Sequence, residues 1–238
     1  MMLRFVCWKW QSLRKYRTRF TAQHVNTLRN MIERNYHADF EVVCITDDKR
    51  DIDPRVRVVP LWSDFADVPS PHGGSSPACY RRLRAFSAEM GQIIGPRFVS
   101  IDLDVVIVDD ITSLFGRPED FIIWASPSRM TPYNGTLWMM NAGAREQVFT
   151  KFNPYTSPKE ARKAGFNGSD QAWISYVLGP NEATWLPERD GVYAFRTDIR
   201  NRDWKLPTNA RIVSFHGSDD PWDTHSRERA PWILEHYR

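Results

Sequence analysis

The stretch FVSIDLDVVIVDD, residues 98–110, decides how the rest of the chain is read. An apolar run reaches Ile101 and resumes at Val105, and between the two stand a pair of carboxylates, Asp102 and Asp104. On an extended segment, residues two apart point the same way, so both acids can meet one ligand. Two ionised carboxylates that close raise each other's pKa unless a cation sits between them. A hard divalent ion resolves the conflict and completes its shell with water and substrate phosphates. Asp-x-Asp is common in surface turns, where both acids are simply solvated. Its place between two apolar runs is what sets this pair apart.

Outward from this stretch, strands and helices alternate. RFVCWKW (4–10) reads as a first strand, and FEVVCIT (40–46) and VRVVPLW (56–62) as buried parallel strands. RFVSIDLDVVIV (97–108) reads as one further strand. FIIWAS (121–126), TLWMM (136–140) and ARIVSFHG (210–217) follow as later ones. HVNTLRNMIERNY (24–36) spaces Val25, Leu28, Met31 and Ile32 on one helical face. CYRRLRAFSAEM (79–90) is predicted helical, DITSLF (110–115) begins a short helix behind an Asp, and SDQAWISYVLG (169–179) forms a helix closed by Gly179. The order strand, helix, strand predicts an α/β sheet with crossover helices, and ligands gather beyond the carboxyl ends of such strands. SDFADVPSPHGGSSP (63–77) is turn-rich and reads as a candidate lid. No repeat or domain boundary stands out, so one domain over 1–238 is expected, with loops 63–78 and 127–135 above the site.

Composition narrows the classes. Hydrophobic residues make up 42% and charged residues 26%, ordinary for a globular protein. The balance of 32 basic against 29 acidic residues is too mild to mark a nucleic-acid binder. Ten tryptophans suit sugars and bases, which favour a flat apolar face with a polar edge, though any single one is first a packing anchor. Cys7, Cys44 and Cys79 lack metal-ligand spacing and are odd in number, which points away from disulfides and toward a cytoplasmic setting. The opening MMLRFVCWKW turns basic after a few apolar residues, so no signal peptide is expected, and no run is long enough to cross a bilayer.

The run RFVSIDLDVVIVDDITSLF is similar to the segment around the metal-binding Asp-x-Asp motif of GT-A-fold glycosyltransferases. It most resembles the glycogenin-like and bacterial galactosyltransferase-like enzymes and their short bacterial or phage relatives. The likeness continues in order over roughly 4–222. KWQSLRKY, HVNTL and FEVVCITDD resemble the family's nucleotide-binding opening. CYRRLRAF matches Arg82 to a basic residue facing the donor. YNGTLWMM matches Asn134 to a donor-sugar contact, and NGSDQAWI matches Asp170 and Gln171 to residues near the sugar's reacting face. IVSFHGSDDPW matches His216 to a third metal ligand.

The resemblance implies a metal-dependent transferase. Mn²⁺ or Mg²⁺ would be held by Asp102, Asp104 and His216. A nucleotide-sugar donor, UDP-linked by the same resemblance, would be met by Arg82, Asp102, Leu103 and the run Trp8, Lys9, Trp10, and its sugar by Asn134, Asp170 and Gln171. Retention of configuration is the family's outcome. The acceptor would be a hydroxyl, on a saccharide or on modified phage DNA, the latter suggested by SLRKYRTRF and RRLR. One departure stands out: Asp220 occupies the place of a family lysine that binds donor phosphate.

Plainer readings stay open at this stage. Arg82 belongs equally to a solvated helical face, Asp170 to a helix start, and Asn134 to a turn with Gly135. Two rival functions are a non-catalytic nucleotide-sugar-binding module, favoured by Asp220, and a haloacid dehalogenase-like phosphatase with an Asp nucleophile.

Overall fold

The computed structural model describes residues 2–11, 19–73, 78–128 and 130–238. Among them ten strands follow in chain order: β1 (Leu3–Lys9), β2 (Phe40–Thr46), β3 (Val56–Pro60), β4 (Arg97–Ile101), β5 (Val105–Ile107), β6 (Phe121–Ala125), β7 (Tyr133–Asn141), β8 (Ala183–Trp185), β9 (Val192–Ala194) and β10 (Ile212–Ser214). Seven form one sheet in the order β3-β2-β1-β4-β7-β6-β8, and three form a second, β5-β10-β9. The large sheet is parallel from β3 through β4 and between β6 and β8. Only β7 runs against its neighbours.

Strand periodicity sorts the core into two layers. In β1, Phe5 and Cys7 enter the cluster that also holds Leu28, Met31 and Ile32, while Val6 and Trp8 enter the opposite one with Tyr80, Phe86 and Trp138. The first layer is covered by the helix Ala22–Asn35 and by the small sheet, whose Val105, Val106 and Ile107 are fully buried. This accounts for the unbroken apolar run after the acid pair: β5 is packed on both faces.

The structure corrects several sequence expectations. Residues 97–108 are not one strand. β4 ends at Ile101 beside β7, and β5 begins at Val105 beside β10, so Asp102–Asp104 bridge two sheets. The expected helix at 79–90 is a tight 3₁₀ turn, Tyr80–Phe86, then Ser87 in extended conformation, then a single turn Met90–Ile93. Arg82 and Ser87 each bond a carbonyl three residues back, the geometry of that tighter helix. The loop expected at 127–135 is shorter, because Tyr133, Asn134 and Gly135 already belong to β7. The helix Asp170–Leu178 ends as expected at Gly179, whose φ of 67° favours glycine.

Candidate active site

A cavity of about 610 Å³ opens where β1 and β4 end and the two sheets meet. Trp8 and Trp10 reach it from the end of β1, Asp102–Asp104 from the bridge, and Asn134–Thr136 from the start of β7. Ser169–Gln171 come from the start of a helix, and Phe215–Gly217 from beyond β10. The backbone fixes the bridge at both ends. Asp102 N donates to the Thr136 carbonyl at 3.0 Å, and Phe215 N donates to the Asp104 carbonyl at 2.8 Å. His216 therefore follows directly on the strand that Asp104 is tied to.

Arg82 is buried at the centre. Its guanidinium donates to Asp102 Oδ1 and to the Gly135 carbonyl. Its Nε lies 2.8 Å from Asp170 Oδ2, a contact of opposite charges in which neither atom makes a well-directed hydrogen bond. Burial works against the guanidinium's charge, but Asp102 and Asp170 outweigh it and hold its pKa above the usual arginine value. RRLR is thus no solvated basic face: Arg82 is enclosed, and Arg84 pairs with Asp64 at 2.6 Å and Glu89 at 3.1 Å. Of the other basic stretch, residues 12–18 lie outside the described residues, while Arg19 lines the cavity. The basic surface proposed for a DNA acceptor loses RRLR.

The carboxylates are strained electrostatically. Burial pushes the Asp102 carboxyl up to about 6, Arg82 opposes it, and Asp170 adds to it. Burial raises Asp104 well above the usual range, with further push from Asp102 and Asp220. Asp220, buried and donating its backbone N–H to Asp223 Oδ2 at 2.8 Å, adds to the negative charge facing Asp104. His216 is held below its usual pKa, first by burial and then by Arg196, so its imidazole is neutral at pH 7.

Asp104 Oδ1 and His216 Nδ1 are both buried without a hydrogen-bond partner. Unpaired buried polar atoms of this kind are costly and ask for an explanation. A divalent cation supplies one, since it takes an anionic oxygen and a neutral nitrogen together. Among the described residues no three His, Cys, Asp or Glu side chains close into a ready-made cage. By donor type Asp104 and His216 would suit such an ion, and Asp102 would add the oxygen that Arg82 does not hold.

The remaining sequence candidates fall as follows. Trp8 is buried, and its indole N–H donates to Ser100 Oγ at 2.8 Å, so it anchors the wall. Trp10 packs edge-on to it at 6.5 Å and is the more open of the two. Lys9 is buried and outside the cavity lining. Leu103 turns its side chain into the core, leaving its backbone at the cavity. Asn134 Oδ1 accepts from Thr136 N at 2.9 Å inside β7, where the pairing with β6 shifts register, so it braces a strand irregularity and not the turn expected with Gly135. Gln171 bridges Asn167 O at 3.1 Å and Gly135 N at 3.4 Å. Asp170 is the first residue of its helix and is spent on Arg82.

Sequence reading missed His72 and Cys79, which also line the cavity. His72 Nε2 accepts from Gly168 N at 3.3 Å, tying the 63–73 loop to the helix that starts at Asp170. A histidine inside the turn-rich SPHGGSSP was the available signal.

No family model matches the chain, and no curated protein is similar to it in sequence. Among solved structures, the galactosyltransferase LgtC, solved with donor and acceptor sugar analogs, superposes at a TM-score of 0.62 with 12% identity over 98% of this chain and 96% of that one. The glycosyltransferase GlyE of Streptococcus pneumoniae TIGR4 gives 0.60 with 11% identity, over 98% of this chain and 60% of GlyE. The bifunctional glycosyltransferase WbbM gives 0.56 with 14% identity, over 98% and 51%. The likeness is one of fold, and it is the GT-A architecture expected from the sequence. The haloacid dehalogenase-like alternative has no support in it, because the acid pair follows the fourth strand, between two sheets.

Proposed function

We propose that the chain is a metal-dependent glycosyltransferase that moves a sugar from a nucleotide donor, UDP-linked, to a hydroxyl of a saccharide acceptor. The observation that carries this reading is the pair of unpartnered buried atoms, Asp104 Oδ1 and His216 Nδ1, on the wall that also presents Asp102. Asp102, Asp104 and His216 would hold Mn²⁺ or Mg²⁺ there, which would supply Lewis-acid stabilisation of the diphosphate leaving group.

The chain's own residues arrange the rest. Trp10 offers the base a flat face, with Trp8 fixed behind it. Arg82 holds Asp102 and Asp170 in one orientation, so it positions acids in addition to lending charge to the donor. Asn134, Asp170 and Gln171 border the space left for the sugar, and Gln171 brings both a donor and an acceptor to its hydroxyls. Retention of configuration follows by resemblance to the family, and Gln171 is not assigned as a nucleophile.

The test is donor hydrolysis across nucleotide sugars with Mn²⁺, comparing wild type with Asp104→Asn. Loss of about 10²-fold or more in the variant, with its fold intact by circular dichroism, is expected for removal of a metal ligand. Equal rates in the two proteins, or rates indifferent to chelator, would end the reading. Asp220 favours one second reading, a binding module without turnover. It predicts that UDP raises the melting temperature only with Mn²⁺ present while no donor is consumed.

A further inference from the structure

A second cavity, of about 650 Å³, lies on the other side of Ser70, which lines both. Its walls come from two places: the Pro69–Pro71 corner of the loop beside the first cavity, and the segment Pro154–Lys163. The two are joined by Arg162, whose guanidinium donates to the Pro71 carbonyl.

Two features of this cavity are unusual. Tyr155 is 82% exposed, the most open of the large apolar side chains among the described residues, and it stands beside Pro154 and Pro158. A ring left in water next to rigid prolines is the surface on which a sugar face stacks. The second feature is charge. Lys159, Arg162 and Lys163 recur at helical spacing on the outer face of the helix Ser157–Lys163, whose Ser157, Pro158 and Ala161 are buried. Glu160 is that helix's one acid, and none of the three cations is in an ion pair among the described residues. Eleven of the described arginines elsewhere pair with carboxylates. Here the positive charge is left open, and it attracts anions.

We propose that this cavity binds an anionic part of the acceptor: saccharide units carrying carboxylate or phosphate groups. Tyr155 stacks on a ring while Lys159 and Lys163 take the charge. The acceptor hydroxyl then reaches the first cavity past Ser70. The inference rests on reading that first cavity as a transferase site.

The experiment measures binding of trigalacturonate, a phosphorylated oligosaccharide and neutral galactotriose by calorimetry, to wild type, to Lys159→Glu/Lys163→Glu and to Tyr155→Ala. All three proteins are also assayed for donor hydrolysis without acceptor. At least one anionic probe is expected to bind about tenfold tighter than galactotriose, less so in high salt. The charge reversal is expected to lose about tenfold, Tyr155→Ala several-fold, and donor hydrolysis to stay unchanged. Which anionic probe binds better identifies the group. Equal affinity for neutral and anionic probes, or full affinity in the charge reversal, overturns the proposal. So does binding to phosphatidylglycerol vesicles in place of either oligosaccharide. Probe binding that depends on these side chains in a protein without donor turnover would instead sink the transferase reading and leave this site standing.

Discussion

Arg82 and Arg145 each stand between two carboxylates, and the two clusters behave oppositely. Arg145 holds Glu182 at 2.7 Å and Asp120 at 3.0 Å near the surface, and its hydrogen bond lowers the Asp120 pKa below the ordinary range. Arg82 holds Asp102 and Asp170 just as closely, yet Asp102 is pushed up. Water makes the difference: the Asp120 side chain is 56% exposed, while Asp102 is 23% exposed and the Arg82 beside it only 7%. Where solvent shares the charge, an arginine settles its partners. In the cavity one guanidinium serves Asp102 and Asp170 with Asp104 close by, and burial still wins. Such a cluster holds an unmet demand for positive charge.

Removing the two arginines should expose the contrast most strongly. Arg82→Met leaves buried carboxylates uncompensated and is expected to cost on the order of 3–5 kcal/mol in urea unfolding. Arg145→Met is expected to cost about 1 kcal/mol or less. Similar losses would erase the distinction between the clusters. Adding Asp170→Asn to Arg82→Met should recover part of the loss, since it removes one of the charges left behind.

Gly135→Ala sharpens the same point from the backbone. A Cβ there would sit 2.6 Å from Arg82 Nη2 and 3.3 Å from Asp170 Oδ2, so the guanidinium must shift. Displacement of that size predicts a fall of about 10²-fold in turnover. Unchanged turnover would mean that Arg82 does not set the site's geometry.

The smallest effect is a reactivity. Burial, helped by the Asp170 charge, pushes the Cys79 thiol up to about 12, so it stays protonated at neutral pH. Its alkylation should be slow at pH 7.5 and climb by about tenfold per pH unit toward pH 10, with UDP and Mn²⁺ slowing it further. Fast labelling at neutral pH, read by mass spectrometry, would show a cavity wetter and less acidic than this one.

The parallel strands were legible because β1 and β2 are buried runs, and so was the helix carrying Val25, Leu28, Met31 and Ile32. The break at Asp102–Asp104 was legible as chemistry but not as topology. Periodicity says that Val105–Ile107 is buried and is silent on which sheet receives it. The 3₁₀ turn around Arg82 escaped because Tyr80, Leu83 and Phe86 recur every three residues, a spacing that also fits an α-helix. The pairing of Arg82 with Asp170 joins residues that only the folded sheet brings together. No local pattern announces it, which is why Arg82 read equally well as a solvated charge.

The split between β4 and β5 has a consequence for how the protein comes to work. Asp102 is delivered by the large sheet, whereas Asp104 and His216 are delivered by the small one. The proposed ion site is therefore complete only where the two sheets meet, and a change in their docking would move Asp104 and His216 away from Asp102 without altering any of the three side chains.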